Sequence, residues 1–230
     1  MKIRTIFLAM LSIIVMACST ESEVELEFSC DRDIDRWVRD NLTEIRTLTR
    51  EQWLHIRNPN YRRAVYAAFT PVQKRTFWVQ KLQEALRLDW SEKESAHIQT
   101  LLHFAENSGV FNRELRRDDE IFFYRWMENA REELSWSDKT IVSILVSFYP
   151  VADKNGGVKV PGNDVNTLRT RVELPDWEYY QPSNCICSTN TLVNDCVLMR
   201  GTSCRVSFCN RVYLCGAFAR SPCNGFCVRI

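Results

Sequence analysis

The sequence predicts two architectures in one chain: an all-α helical domain over residues 31–150 and a small disulfide-rich C-terminal module over 184–230. Three observations carry this division. Apolar residues recur at helical spacing from Asp31 to Tyr149. Eight of the ten cysteines (Cys185, Cys187, Cys196, Cys204, Cys209, Cys215, Cys223 and Cys227) crowd into the last 46 residues. Between the two, over 151–183, the helical period stops and turn residues take over. At 230 residues, 45% hydrophobic and 26% charged, the chain has room for one or two domains; its net charge of +1 averages unlike segments and names no partner.

Taken in order, Lys2 and Arg4 precede an apolar run from Ile6 to Met16. That run is short of the roughly 20 residues a bilayer span needs, so residues 1–17 read as a removable signal peptide. It ends Val15-Met16-Ala17-Cys18, which resembles a bacterial lipobox and makes Cys18 the expected site of palmitate-type acylation; ordinary signal cleavage nearby is the alternative. Residues 18–30 form the lipidated acidic tether. Glu21, Glu23, Glu25 and Glu27 resemble the surface-export signals of Bacteroidota-type lipoproteins and also suit a solvated tether. The expected location is therefore the outer membrane, facing outward, with vesicle-borne or released forms and the membrane as a partner through the lipid. That compartment is oxidising, so cysteines are read first as disulfides.

In the helical domain, Ile34, Trp37, Val38, Leu42 and Ile45 mark a first helix, and Thr49 with Gln52 forms a capping box for a second. Asn58-Pro59 ends that one, and Asn60 is expected to cap a helix through Tyr61, Ala64, Val65 and Phe69. Thr70-Pro71 opens a helix running to Leu86, and Ser91 with Glu94 opens another that stops at Gly109. A longer helix passes through Ile121, Phe122, Trp126 and Leu134; Ser137 opens the last, which Pro150 ends. Six or seven helices are expected.

Nothing in this domain reads as chemistry. His55, His97 and His103 lack the i, i+4 spacing of a helical zinc site, and there is no P-loop, GxGxxG or nucleophile-elbow motif. Asp118-Asp119-Glu120 at a helix start complements the helix dipole. The aromatic residues read as core. Cys30 stays unpaired if the other eight pair among themselves. No catalytic residue, cofactor, metal or nucleic-acid partner is expected.

In the linker, Asn155-Gly156-Gly157 and Pro161-Gly162-Asn163-Asp164 are turn signals, and Val158-Lys159-Val160 is a candidate short strand. Arg169 and Arg171 offer bonds to an arginine-specific protease of trypsin or clostripain type.

The tail is too small for much of a core. Ordering costs roughly 1.5 kcal/mol per residue, close to what burial returns, whereas each disulfide contributes about 2–4 kcal/mol. The sequence does not choose the pairing. Zinc is the rival reading, but the local spacings are CxC, CxxxxC and CxxxC, without histidine, which favours disulfides. From Asn184 on there are five arginines against one acid, Asp195, for a net +4, while residues 19–183 carry a net −5. Arg200, Arg205, Arg211 and Arg220, beside exposed-looking Val206, Phe208, Tyr213, Leu214 and Phe218, suit binding to an anionic envelope component or surface receptor. Two readings of the charge split stand: both charge sets are simply solvated surface, or the acidic domain masks the tail until release.

Asn184-Cys185-Ile186-Cys187-Ser188-Thr189, then Asp195-Cys196 and Cys223-Asn224-Gly225, resemble the small bacteriocin fulvocin C; the whole chain is similar to the bacteriocin fulvocin C-related proteins. The match covers the tail, with weaker similarity around Phe69-Thr70-Pro71 and Phe77-Trp78-Val79-Gln80-Lys81-Leu82. The middle cysteine spacing differs, and the tail is arginine-rich and lacks tryptophan. The resemblance implies antibacterial activity and leaves the target open; the linker arginines add an expectation of activation by proteolysis, with the tail acting on the envelope of related bacteria. Two other classes compete: a non-toxic surface lipoprotein recognising a glycan or host protein, and a protease-inhibitor-like knot. A lytic enzyme ranks last.

Overall fold

The computed structural model describes residues 27–29, 31–160, 187–189, 195–198, 202–207 and 213–229. Its helices are α1 (Arg32–Asp40), α2 (Leu42–Ile45), α3 (Arg50–Leu54), α4 (Pro59–Ala68), α5 (Pro71–Ala85), α6 (Glu92–Asn107), α7 (Arg117–Glu132) and α8 (Asp138–Leu145). An all-α N-terminal part followed by a small disulfide-bonded sheet region is thus the observed architecture. No helix among the described residues is long and apolar enough to cross a membrane.

Side-chain caps fix most of these boundaries. Thr49 and Gln52, Thr70 and Gln73, and Ser91 and Glu94 each form a reciprocal capping box. Gln73 does more, its amide donating to the carbonyls of Ile45 (3.1 Å) and Leu48 (3.2 Å), so the start of α5 is tied to the end of α2. Gly109, at φ +69, follows α6 as expected of a helix stop.

Three boundaries differ from the sequence reading. The first helix divides at Asn41, whose side-chain amide bonds the Trp37 carbonyl at 2.8 Å and closes α1 before α2 begins. Asn58, rather than Asn60, caps α4: its Oδ1 accepts the N–H groups of Asn60 and Tyr61, leaving Pro59 at the first helical position, where no amide hydrogen is missed. And α8 stops at Leu145, well before Pro150, because Val146 and Ser147 both donate to the Val142 carbonyl.

The core is aromatic. Trp53, Tyr66, Phe77, Trp78 and Phe148 meet edge-on or tilted, with Tyr66–Phe148 centroids 4.7 Å and Trp53–Phe77 centroids 5.0 Å apart. Lys81 of α5 is fully buried inside it. Its Nζ donates to the Ile144 carbonyl at 2.7 Å and lies 4.6 Å from the Trp78 ring centre, bridging α5 to the end of α8; burial pushes its pKa well down.

Residues 151–160 pack on this domain. Val151 is buried and bridges Val158, and the Thr140 hydroxyl donates to the Lys154 carbonyl at 3.0 Å. Gly156 permits the approach: its φ is +79, and a Cβ there would sit 2.5 Å from the Lys139 carbonyl carbon. Residues 161–186, which include Arg169, Arg171 and Cys185, lie outside the described residues.

The module contains two antiparallel pairs. Strand β1 (Thr202–Val206) pairs with β4 (Gly225–Arg229), with Cys204 opposite Cys227, and β2 (Tyr213–Cys215) pairs with β3 (Ser221–Pro222). Gly225 is needed at its crossing, since a Cβ would stand 2.1 Å from the Arg205 carbonyl oxygen.

Replacing Gly156 by alanine should cost about 1–3 kcal/mol from the left-handed backbone alone, and more from the clash. Urea denaturation of the full chain measures it; alanine at Gly109, where a Cβ meets nothing within 4 Å, should cost less.

Candidate functional site

The module is built around Asp195, its only acid. The Asp195 carboxylate accepts the Ser188 N–H at 2.8 Å and the Gly216 N–H at 2.9 Å, joining two distant stretches of the tail. Burial pushes its pKa up, against the pull of those two donors and of the nearby Arg63 guanidinium. The 3-10 turn it begins, Asp195–Leu198, lies against α8.

Around this hub the residues of the family resemblance hold the segments together. Cys187 exchanges backbone hydrogen bonds with Gly225, and Asn224 also donates to the Cys187 carbonyl. The Asn224 side chain accepts the Thr189 N–H and donates to the Thr189 hydroxyl, both at 2.9 Å. Disulfides Cys187–Cys204, Cys196–Cys227 and Cys215–Cys223 complete the frame. Of the eight tail cysteines, Cys185 and Cys209 lie outside the described residues, as do Cys18 and Cys30.

The Cys215–Cys223 bond closes the loop that meets the helical domain. Within it, Phe218 and Ala219 both adopt left-handed backbone (φ 52 and 54), turning Phe218 away from the module. Its ring fills a socket made by Trp78 of α5 (4.9 Å between centroids), Phe123 of α7 (5.3 Å) and Phe111 of the α6–α7 loop (5.5 Å). Phe218 is 0% exposed, and Leu214, Cys215, Ala219 and Cys223 are buried in the same core. Leu214 and Phe218, read from sequence as exposed, are therefore the docking residues. Val206 is exposed as read, at 68%.

Two arginines flank the socket. Arg220 is half-buried and donates to the Arg113 carbonyl, a loop position fixed by the Arg113 ion pair with Asp119. Arg63 of α4 donates to Cys223 Sγ at 3.1 Å. Beside them, Lys74 of α5 donates to the Ala67 carbonyl at 2.9 Å; burial, then the Arg220 charge, lowers its pKa to about 8.

The expected target-binding arginines thus separate. Arg205 and Val206 are exposed next to each other on β1, and Arg229 is exposed at the other end of the β1–β4 ladder, opposite Thr202. Arg220 faces inward. Arg200 and Arg211 lie outside the described residues. The histidines are structural: His97 stacks on Trp126 at 4.6 Å and the two exchange hydrogen bonds with each other's backbone carbonyls, while His55 and His103 bond within their own helical turns. The Phe218 socket was not read from the sequence; an aromatic residue inside the short Cys215–Cys223 loop was the available signal.

The chain matches no family model, no curated protein and no solved structure.

Alanine at Phe218 should destabilise the full chain by about 3–5 kcal/mol, measured by denaturation, while alanine at exposed Val206 should stay within about 0.5 kcal/mol of the parent. Lys74 supplies a pH signature. Its folded pKa, about 8, lies below its unfolded value of 10.5. The folded state therefore sheds the proton first, and the cost of burying the ammonium fades as pH rises from about 8 to 10.5. Relative to K74M, the parent should gain stability across that window.

Proposed function

We propose that this is an antibacterial protein of bacteriocin type, displayed at or released from a bacterial surface, in which the helical domain carries the stapled C-terminal module. The observation that carries the reading is the two-sidedness of the module. Its inner face is seated through Phe218 in the helical domain. Its β1–β4 ladder offers Arg205, Val206 and Arg229 to solvent. Exposed cationic and apolar residues of this kind suit an anionic envelope, and the resemblance of the tail motifs to fulvocin C names the activity. Acylation at Cys18 would keep the protein at the producer's outer membrane, and cleavage after Arg169 or Arg171 would free the tail covalently.

The buried Phe218 also favours a second reading, a permanently displayed binding module that never leaves its carrier and recognises a glycan or host protein without killing. Both readings use the same outer face and differ in outcome.

The test is growth competition: full-chain protein, intact or treated with an arginine-specific protease, is applied to related strains. The first reading expects inhibition, reduced at least about tenfold in potency by R205Q with R229Q, each exposed arginine contributing about 1 kcal/mol of surface attraction. Inhibition in neither form sinks it, and adhesion lost on gene deletion without a change in competition supports the second. R169Q with R171Q isolates activation: unchanged processing and killing rules out those bonds.

A further inference from the structure

The two outer disulfides are close neighbours. The sulfurs of Cys187, Cys196 and Cys204 all lie within 4.8 Å of one another, the one such cluster among the described residues. Cys227 is bonded to Cys196 and stands opposite Cys204 across the β1–β4 ladder. The Cys187–Cys204 and Cys196–Cys227 bonds thus lie beside each other, drawn from four chain segments, and each segment is held there by bonds other than its disulfide. Cys187 is fixed by its backbone bonds to Gly225, Cys196 by the turn beginning at Asp195, and Cys204 and Cys227 by the strand ladder.

Zinc held by four thiolates sits about 2.3 Å from each, which places the sulfurs about 3.8 Å apart. Opening each bonded pair to that distance needs a movement of about 1.8 Å; the Cys196 sulfur already lies within 4.8 Å of both sulfurs of the other pair, and Cys227 would move in with the opening of its bond to Cys196. Local spacing such as CxxC matters only when neighbouring residues must supply the ligands; here the fold gathers them. Cys187 and Cys196 are fully buried, and the module's excess of arginine over its single acid suits a dianionic centre.

We propose that Cys187, Cys196, Cys204 and Cys227 form, in the reduced chain, a tetrathiolate site for one zinc ion, and that oxidation to the two disulfides expels the metal. Four zinc–sulfur bonds break and two protein sulfur–sulfur bonds form. The four electrons pass to two molecules of a small external disulfide, which take up four protons and leave as four thiols. The metal and the staples are then alternative ways of closing the same frame. Cys215–Cys223, packed against Arg63 and the aromatic core, lies outside the cluster. This goes beyond the antibacterial reading and does not depend on it.

The test uses the full chain carrying serine at Cys18, Cys30, Cys185 and Cys209, reduced with a phosphine without oxygen and titrated with cobalt(II), with far-UV circular dichroism reporting the helical domain. The expected result is one cobalt per chain, with the visible bands of a tetrahedral tetrathiolate centre, bleached by one equivalent of zinc and absent from the oxidised chain. C204S should lose those bands and weaken zinc binding by on the order of 100-fold or more, whereas C215S should keep both. A helical, reduced chain without the bands overturns the proposal. So do bands that survive C204S, bands lost equally in C215S, or a reduced chain whose lost structure zinc does not restore.

Discussion

The structure depends on one side chain being held where its own backbone resists putting it. Left-handed backbone at Phe218 and Ala219 costs on the order of 1–3 kcal/mol per residue. Burying the phenylalanine returns about 1.5–3 kcal/mol, and its ring contacts with Trp78, Phe111 and Phe123 add about 0.5–1.5 kcal/mol each. The conformation persists because the Cys215–Cys223 bond limits the alternatives open to the loop and the socket rewards the one that remains. Asp195 then carries that constraint outward: the Gly216 N–H at the root of the loop and the Ser188 N–H beside Cys187 share its carboxylate, so the docking loop and the β1–β4 ladder, which Cys187 joins through Gly225, are parts of one frame.

This frame separates residues engaged in closing the module from residues left facing solvent. The residues that carry the family resemblance (Cys187, Ser188, Thr189, Asp195, Asn224 and Gly225) are engaged with one another. They close the module, whereas Arg205, Val206 and Arg229 face solvent.

How much was legible in the sequence follows the range of the interaction. Capping boxes are local, so Thr49 with Gln52 and Ser91 with Glu94 were readable to the residue, as was the Thr70-Pro71 helix start. Where two local solutions competed, as at Asn58 and Asn60, composition did not decide, and the proline after Asn58 did. Lys81 is indistinguishable in sequence from a solvated helix lysine; only the approach of the Ile144 carbonyl from α8 makes its burial tolerable. Phe218 looked exposed for the same reason, since its partners lie more than ninety residues away in the chain. Which cysteines pair was likewise a matter of long-range convergence.

The charges sharpen what release would require. A net of −5 facing a net of +4 suggests an electrostatic clasp, but the contacts run otherwise. The module's Arg220 bonds a backbone carbonyl and lies close enough to Lys74 to lower its pKa, while an arginine of the acidic domain, Arg63, lies at the module's disulfide. Apolar burial of Phe218 and Leu214 is what seats the module, and apolar burial is not screened by salt. Cutting the linker leaves every one of these contacts in place. It removes only the effective concentration that the tether supplied, so a cleaved tail departs when dilution, or a target able to cover the exposed Phe218, outcompetes the socket.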